Sequence, residues 1–113
     1  MLRLAIVLAM ALQTGTAWGC KASWYGEAFE GKQTACLTIF RRAEPTAAHP
    51  TLPCGTTVWV RAKESGRSVR VTITDRGPFK KGRCIDLSES SFILLAPKGK
   101  GVIEVDIRPT VVD

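Results

Sequence analysis

The residues in this chain best placed for proton chemistry are two aspartates. Asp75 ends an alternating run over residues 69–74 and is followed at once by Arg76-Gly77-Pro78, a turn sequence. Loop ends on a rigid scaffold are where binding and catalytic groups concentrate. Asp86 stands between apolar Ile85 and Leu87, surroundings that favour the uncharged form of a carboxyl. A carboxylic acid so placed can give a proton to a leaving oxygen and later take one back. Each aspartate also has a structural reading. Asp75 satisfies turn amides or pairs with Arg76, and Asp86 caps a helix beginning just beyond it. Metal chemistry is not indicated: no two of Cys20, Cys36, Cys54 and Cys84 are close enough for a zinc pair, and His49 is the only histidine. No cofactor is expected.

The elements that must hold these aspartates are short strands. Val58 and Val60 alternate with Thr57, Trp59 and Arg61; Lys63-Glu64-Ser65-Gly66-Arg67 supplies turn chemistry; Val69, Val71 and Ile73 then alternate with Arg70, Thr72 and Thr74. This period of two predicts a β-hairpin. A third alternating run, Ile103, Val105 and Ile107 against Glu104, Asp106 and Arg108, predicts a later strand, and residues 22–25 and 84–87 are shorter candidates. One helix is expected over residues 89–95, with Ser88 as N-cap, Glu89 in the first turn, and Pro97 and Gly99 beyond its end. Short strands joined by Gly/Pro turns, with one helix, point to a closed β-barrel that leaves no open sheet edge.

The N-terminus reads as an export leader. Arg3 supplies the positive region, residues 4–12 are apolar, and Ala17-Trp18-Gly19 puts small residues where a signal peptidase reads. A signal peptide over residues 1–19, cleaved before Cys20, is therefore expected. The apolar run falls well short of the roughly 20 residues that cross a bilayer, so no transmembrane anchor is expected. Residues 20–113 form one domain, small enough to need covalent staples. An even cysteine count in a short exported chain reads as two disulfides, with three connectivities open. Ala17-Trp18-Gly19-Cys20 also faintly resembles a lipobox, which would make Cys20 a lipid anchor. That motif's usual Leu is missing, however, and lipidation leaves an odd number of cysteines.

Sixteen Lys and Arg against ten Asp and Glu give a net charge of +6, or +5 once Arg3 leaves with the leader. Such a balance suits an anionic polymer of the cell envelope or a membrane surface, and equally a plain soluble basic surface. Nucleic acid is not an expected partner, because no nucleic-acid-binding motif appears and the leader takes the chain elsewhere. A monomer in the periplasm or outside the cell is expected.

Four motifs in register carry more specific information. They are Ser23-Trp24-Tyr25-Gly26, Thr46-Ala47-Ala48-His49 ahead of Leu52-Pro53-Cys54-Gly55-Thr56, Asp75-Arg76-Gly77-Pro78-Phe79, and Ile85-Asp86-Leu87-Ser88. Their order and spacing resemble the rare lipoprotein A family of the bacterial envelope, the septal-ring type of lytic transglycosylase. The resemblance implies a mainly β, six-stranded double-psi barrel with one or two short helices, and cleavage of peptidoglycan glycan strands. Glycoside hydrolysis needs two carboxylates, whereas a lytic transglycosylase needs one. That carboxyl protonates the glycosidic oxygen and takes a proton from the muramic C6 hydroxyl, which closes to a 1,6-anhydro sugar. Asp75 and Asp86 are the candidates, the latter because its motif is similar to the acid-bearing motif of the distantly related expansins. His49 falls in the family's Ala-Ala-His motif, among the site residues. It orients a carboxyl or binds sugar hydroxyls, or it only fixes the turn before Pro50. Trp24 and Tyr25 stack on sugar faces or fill the barrel core. Arg76 is placed with the substrate-binding residues.

The match breaks in one stretch. Where the family reads roughly Thr-Ala-x-Gly-Glu-x-Phe-Asp, this chain has Thr34-Ala35-Cys36-Leu37-Thr38-Ile39-Phe40-Arg41. The family's Glu falls on Thr38 and its Asp on Arg41. Either Asp75 or Asp86 suffices as the acid, with Arg41 holding a muramyl or stem-peptide carboxylate, or the chain is a non-catalytic, expansin-like module that binds or loosens the wall. A secreted effector or inhibitor on the same scaffold is a third reading. Some relatives carry paired cysteines at the positions of Cys36 and Cys54, which implies bridges Cys36–Cys54 and Cys20–Cys84. Each is worth about 2–4 kcal/mol.

Overall fold

The computed structural model describes residues 18–110, so all but the last two residues of the expected leader lie outside the described span. Six strands close into a barrel: β1 (Trp18–Tyr25), β2 (Thr46–Ala48), β3 (Thr57–Ala62), β4 (Ser68–Asp75), β5 (Arg83–Ser88) and β6 (Ile103–Pro109), with one helix, α1 (Glu89–Leu95). Around the barrel they run β1-β5-β2-β4-β3-β6. Two pairs are parallel, β1 with β5 and β2 with β4, and they flank the antiparallel contact of β2 with β5. The remaining neighbours are antiparallel.

The β3–β4 hairpin follows from its alternation. Val58, Val60, Val69, Val71 and Ile73 point inward and are buried, whereas Trp59, Arg61 and Arg70 point to solvent. Val105 and Ile107 of β6 and Ile85 and Leu87 of β5 complete the core, all fully buried. Phe92 and Leu95 of α1 join the same cluster. Burying a side chain the size of Phe92 is worth about 1.5–3 kcal/mol.

Three local features differ from the sequence expectation. β1 starts at Trp18 because it pairs with β6, Trp18 opposite Ile107 and Gly19 opposite Asp106. β2 is a strand of three residues, too short to show a period; it exists because β4 and β5 both pair with it. Ser88 does occupy the N-cap of α1, but its hydroxyl makes no cap to the backbone. It donates instead to the Ser91 hydroxyl at 2.9 Å, since both side chains are buried together.

Two disulfides tie the barrel. Cys20–Cys84 joins β1 to β5, and Cys36–Cys54 joins the long loop after β1 to the segment before β3.

Candidate functional site

The short strand β2 brings the expected site residues to one level of the barrel. Ala48 pairs with Asp75 on one side and with Asp86 on the other, and Asp86 pairs in turn with Ser23 of β1. His49 follows Ala48 directly. Adjacent strands lie about 4.8 Å apart, so the two aspartate backbones are separated by roughly 10 Å. Two bulges aim them. The register of β2 with β4 skips Thr74, and that of β1 with β5 skips Cys84. An extra residue of this kind re-aims the side chains beside it.

Asp75 is half-buried and held by the backbone. Its Oδ1 accepts the amides of Ala35 and Arg76, each at 2.9 Å, and its carbonyl accepts the His49 amide at 3.1 Å. Oδ2 has no hydrogen-bond partner among the described residues. The two loops that reach Asp75 each present an exposed apolar side chain, Leu37 and Phe79.

Asp86 is engaged differently. Its Oδ1 accepts the Ser23 hydroxyl and, at 2.6 Å, the Arg83 guanidinium, which also reaches the Ser23 oxygen. Both side chains of the ion pair are only about one-fifth exposed. The Asp86 carboxyl does not stand alone among its apolar neighbours, being paired with Arg83. Nor does it cap α1. The bulge at Cys84 explains why: it lets Arg83 and Asp86, three apart, face the same side.

His49 is fixed as a neutral imidazole. Its Nδ1 accepts the amides of Thr51 and Leu52, both at 3.1 Å, which leaves the proton on Nε2. Burial, and secondarily the charge of Arg76, lowers its pKa from the usual 6.5. Arg76 itself turns away from the Asp75 carboxylate. Its Nη1 donates to the carbonyls of Leu52 at 2.7 Å and His49 at 3.0 Å, and its Nη2 lies 3.6 Å from Cys54 Sγ. Its guanidinium therefore fastens the loop that carries His49.

The aromatic pair divides its work. Trp24 packs against Phe92, donates its indole N–H to the Lys98 carbonyl at 3.3 Å and has the Lys98 ammonium 5.2 Å above its ring. Tyr25 stacks on Phe40 at 4.4 Å. The Tyr25 hydroxyl is buried without an aligned partner. Its pKa is pushed far above 10, first by burial and then by the charges of Asp75 and Asp86; the nearby Thr74 side chain offsets part of this. Tyr25 therefore sits in the field of both carboxylates.

Arg41 and Thr38 lie outside this row. Arg41 is exposed and pairs with Glu30 at 3.3 Å. Glu30 is held below the usual carboxylate pKa, first by the Arg42 amide and further by Arg41. Thr38 is exposed, and its hydroxyl shares a 2.9 Å hydrogen bond with that of Thr34. Sequence reasoning missed Ser23, Arg83 and the Ala35 amide. Only Ser23, inside the Ser-Trp-Tyr-Gly motif, carried a readable signal.

The barrel and its crossed parallel pairs make this a double-psi β-barrel protein. The chain belongs to the lytic transglycolase family, which it matches over residues 18–107. It is 46% identical over 90 residues to an endolytic peptidoglycan transglycosylase RlpA of Rickettsia felis, covering 77% of this chain and 40% of that protein. It is 48% identical over 88 residues to a probable endolytic peptidoglycan transglycosylase RlpA of Synechocystis, covering 76% of this chain and 27% of that protein. The chain thus spans less than half the length of these relatives. Among solved structures it resembles a Streptomyces papain inhibitor, with a TM-score of 0.70 at 27% identity over 88% of this chain and 98% of the other. The expansin of Clavibacter michiganensis shares the fold, with a TM-score of 0.69 at 20% identity over 87% of this chain and 52% of that one.

Proposed function

We propose that the chain is exported and acts on peptidoglycan as an endolytic lytic transglycosylase, with Asp75 as its acid and base. The observation that carries this is the Asp75 carboxylate, oriented through Oδ1 by two backbone amides while Oδ2 has no hydrogen-bond partner among the described residues. A proton on Oδ2 passes to the glycosidic oxygen as the bond to the muramyl anomeric carbon breaks. The same oxygen then takes the proton of the muramyl C6 hydroxyl, which attacks that carbon and closes the 1,6-anhydro ring. The carboxyl ends protonated, as it began, and no water is consumed. His49 Nε2–H is the donor that can hold a sugar hydroxyl, and the fixed tautomer keeps it a donor. Asp86, locked to Arg83 and Ser23, braces β5 against β1. Export delivers the protein to the compartment that holds its polymer, where it acts as a monomer without lipid at Cys20.

A second reading, a non-catalytic wall-binding module, draws on one observation. Thr38 and Arg41 stand where the family pattern has carboxylates, and neither offers one. Digestion of peptidoglycan with the oxidised protein, followed by mass spectrometry, separates the two. The enzyme reading expects 1,6-anhydro-muramyl ends, reduced about 100-fold or more by Asp75→Asn with folding intact. Wild-type protein that sediments with the polymer yet yields no anhydro ends overturns it.

A further inference from the structure

The outer wall of the barrel carries a feature that the Asp75 site does not use. On β3 the exposed Trp59 lies directly between Arg70 of β4 and Arg108 of β6, its register partners on the two sides. Arg61, next on the same face of β3, lies between Ser68 and Asp106. Trp59, Arg61, Ser68, Asp106 and Arg108 line a shallow depression of about 330 Å³. Arg61, Arg70 and Arg108 have no carboxylate partner among the described residues, whereas Asp106 is engaged by Lys63 at 3.8 Å. Arg70 precedes Asp75 by five residues on β4, or roughly 16 Å along the strand. The patch is thus separate from the Asp75 carboxyl.

We infer that this face of β3, β4 and β6 is a second, non-catalytic docking surface for a carboxylate-bearing glycan strand. The inference rests on peptidoglycan being the polymer. An indole on a rigid sheet offers a flat apolar face on which a pyranose ring stacks. The arginines on either side, with Cα atoms roughly 10 Å apart across two strand spacings, form forked hydrogen bonds to lactyl or stem-peptide carboxylates. Uncompensated cations crowded on one sheet face repel each other, and an anionic strand relieves that repulsion. An anionic membrane fits less well. Trp59 sits mid-strand on the wall, with no projecting apolar segment to enter the acyl boundary. A strand held here while another occupies the Asp75 site keeps the protein on the polymer between cuts.

The test uses the oxidised protein and three exposed-surface variants of unchanged melting temperature: Trp59→Ser, the double variant Arg70→Gln/Arg108→Gln, and Arg61→Gln. Each is sedimented with native peptidoglycan, with peptidoglycan whose carboxyls have been amidated, and with phosphatidylglycerol vesicles. Trp59→Ser and the double variant should weaken binding to native polymer about fivefold to tenfold, and Asp75→Asn should bind as wild type. Amidation should weaken the wild type similarly and leave the double variant unmoved. Cleavage of short soluble glycan fragments should be the same in all three surface variants. Native-polymer binding unchanged in both Trp59→Ser and the double variant overturns the inference, as does a loss seen only on vesicles. Absence of anhydro products from the wild type sinks the enzymatic reading alone, because the sedimentation result still stands.

Discussion

His49 offers a direct test of how the site is held together, because acid and mutation should do the same thing to it. Its Nδ1 accepts two amides, from Thr51 and Leu52, at 3.1 Å each. Protonation turns that acceptor into a donor facing two donors, and both bonds go. Burial and the Arg76 charge hold the folded pKa below 6.5, so the unfolded chain binds the proton more readily than the folded one. Stability from the neutral imidazole is therefore complete above about pH 6.5 and is lost as pH falls towards the lower folded value. Two hydrogen bonds are worth about 1–3 kcal/mol, and half-exposed amides that recruit water place the loss near 1–2. For a domain this size that corresponds to a fall in melting temperature of roughly 5–15 °C. Thermal unfolding followed by circular dichroism between pH 7.5 and 5.0 keeps clear of most carboxylate titration. His49 is the only histidine, so the assignment is clean. Wild type should lose stability across this window. His49→Ala should start lower by that amount and stay flat, and His49→Asn, with a short side-chain acceptor, should recover part of it and also stay flat. An acid slope in His49→Ala equal to that of wild type refutes the reasoning.

Two further outcomes follow from the geometry. Asp86→Asn should leave the Arg83 guanidinium without its anion and cost about 1–3 kcal/mol in urea unfolding, less than a fully buried pair because both side chains are partly exposed. If it removed activity at unchanged stability instead, Asp86 would belong to the chemistry. The mature N-terminus should be Cys20, as the small residues of Ala17-Trp18-Gly19 suggest, which takes two register pairs, Trp18 with Ile107 and Gly19 with Asp106, from the end of β1. Intact mass of the secreted product decides this, and a chain beginning at Trp18 counts against it.

Much of the barrel was legible in the sequence because its strands alternate. The β3–β4 hairpin, β6 and α1 follow from side-chain period and stop signals, and the parallel crossings follow only from the family motifs. The candidate site was legible as residues that β2 brings into one row, and not as the contacts those residues make. Its two aspartates sit beside bulges at Thr74 and Cys84, where the period of two breaks. Without the bulge, Arg83 and Asp86 would face opposite sides, so nothing in the sequence suggested that they pair. Arg76 read as a ligand contact because it follows Asp75, but its reach back to the carbonyls of residues 49 and 52 depends on how the His49 loop folds. Trp24 likewise shows its packing only once α1 and Lys98 are in place.

The closure of the barrel by β1 and β6 also bears on when the protein can fold. β6 is the last described strand to leave a ribosome or a translocation pore, and β1 needs both it and β5 as neighbours. Until β6 emerges, the first strand has no antiparallel partner and one barrel edge stays open. Contacts this distant in sequence form late and slowly. The topology therefore keeps the emerging chain unclosed until its last described strand is available to pair with its first.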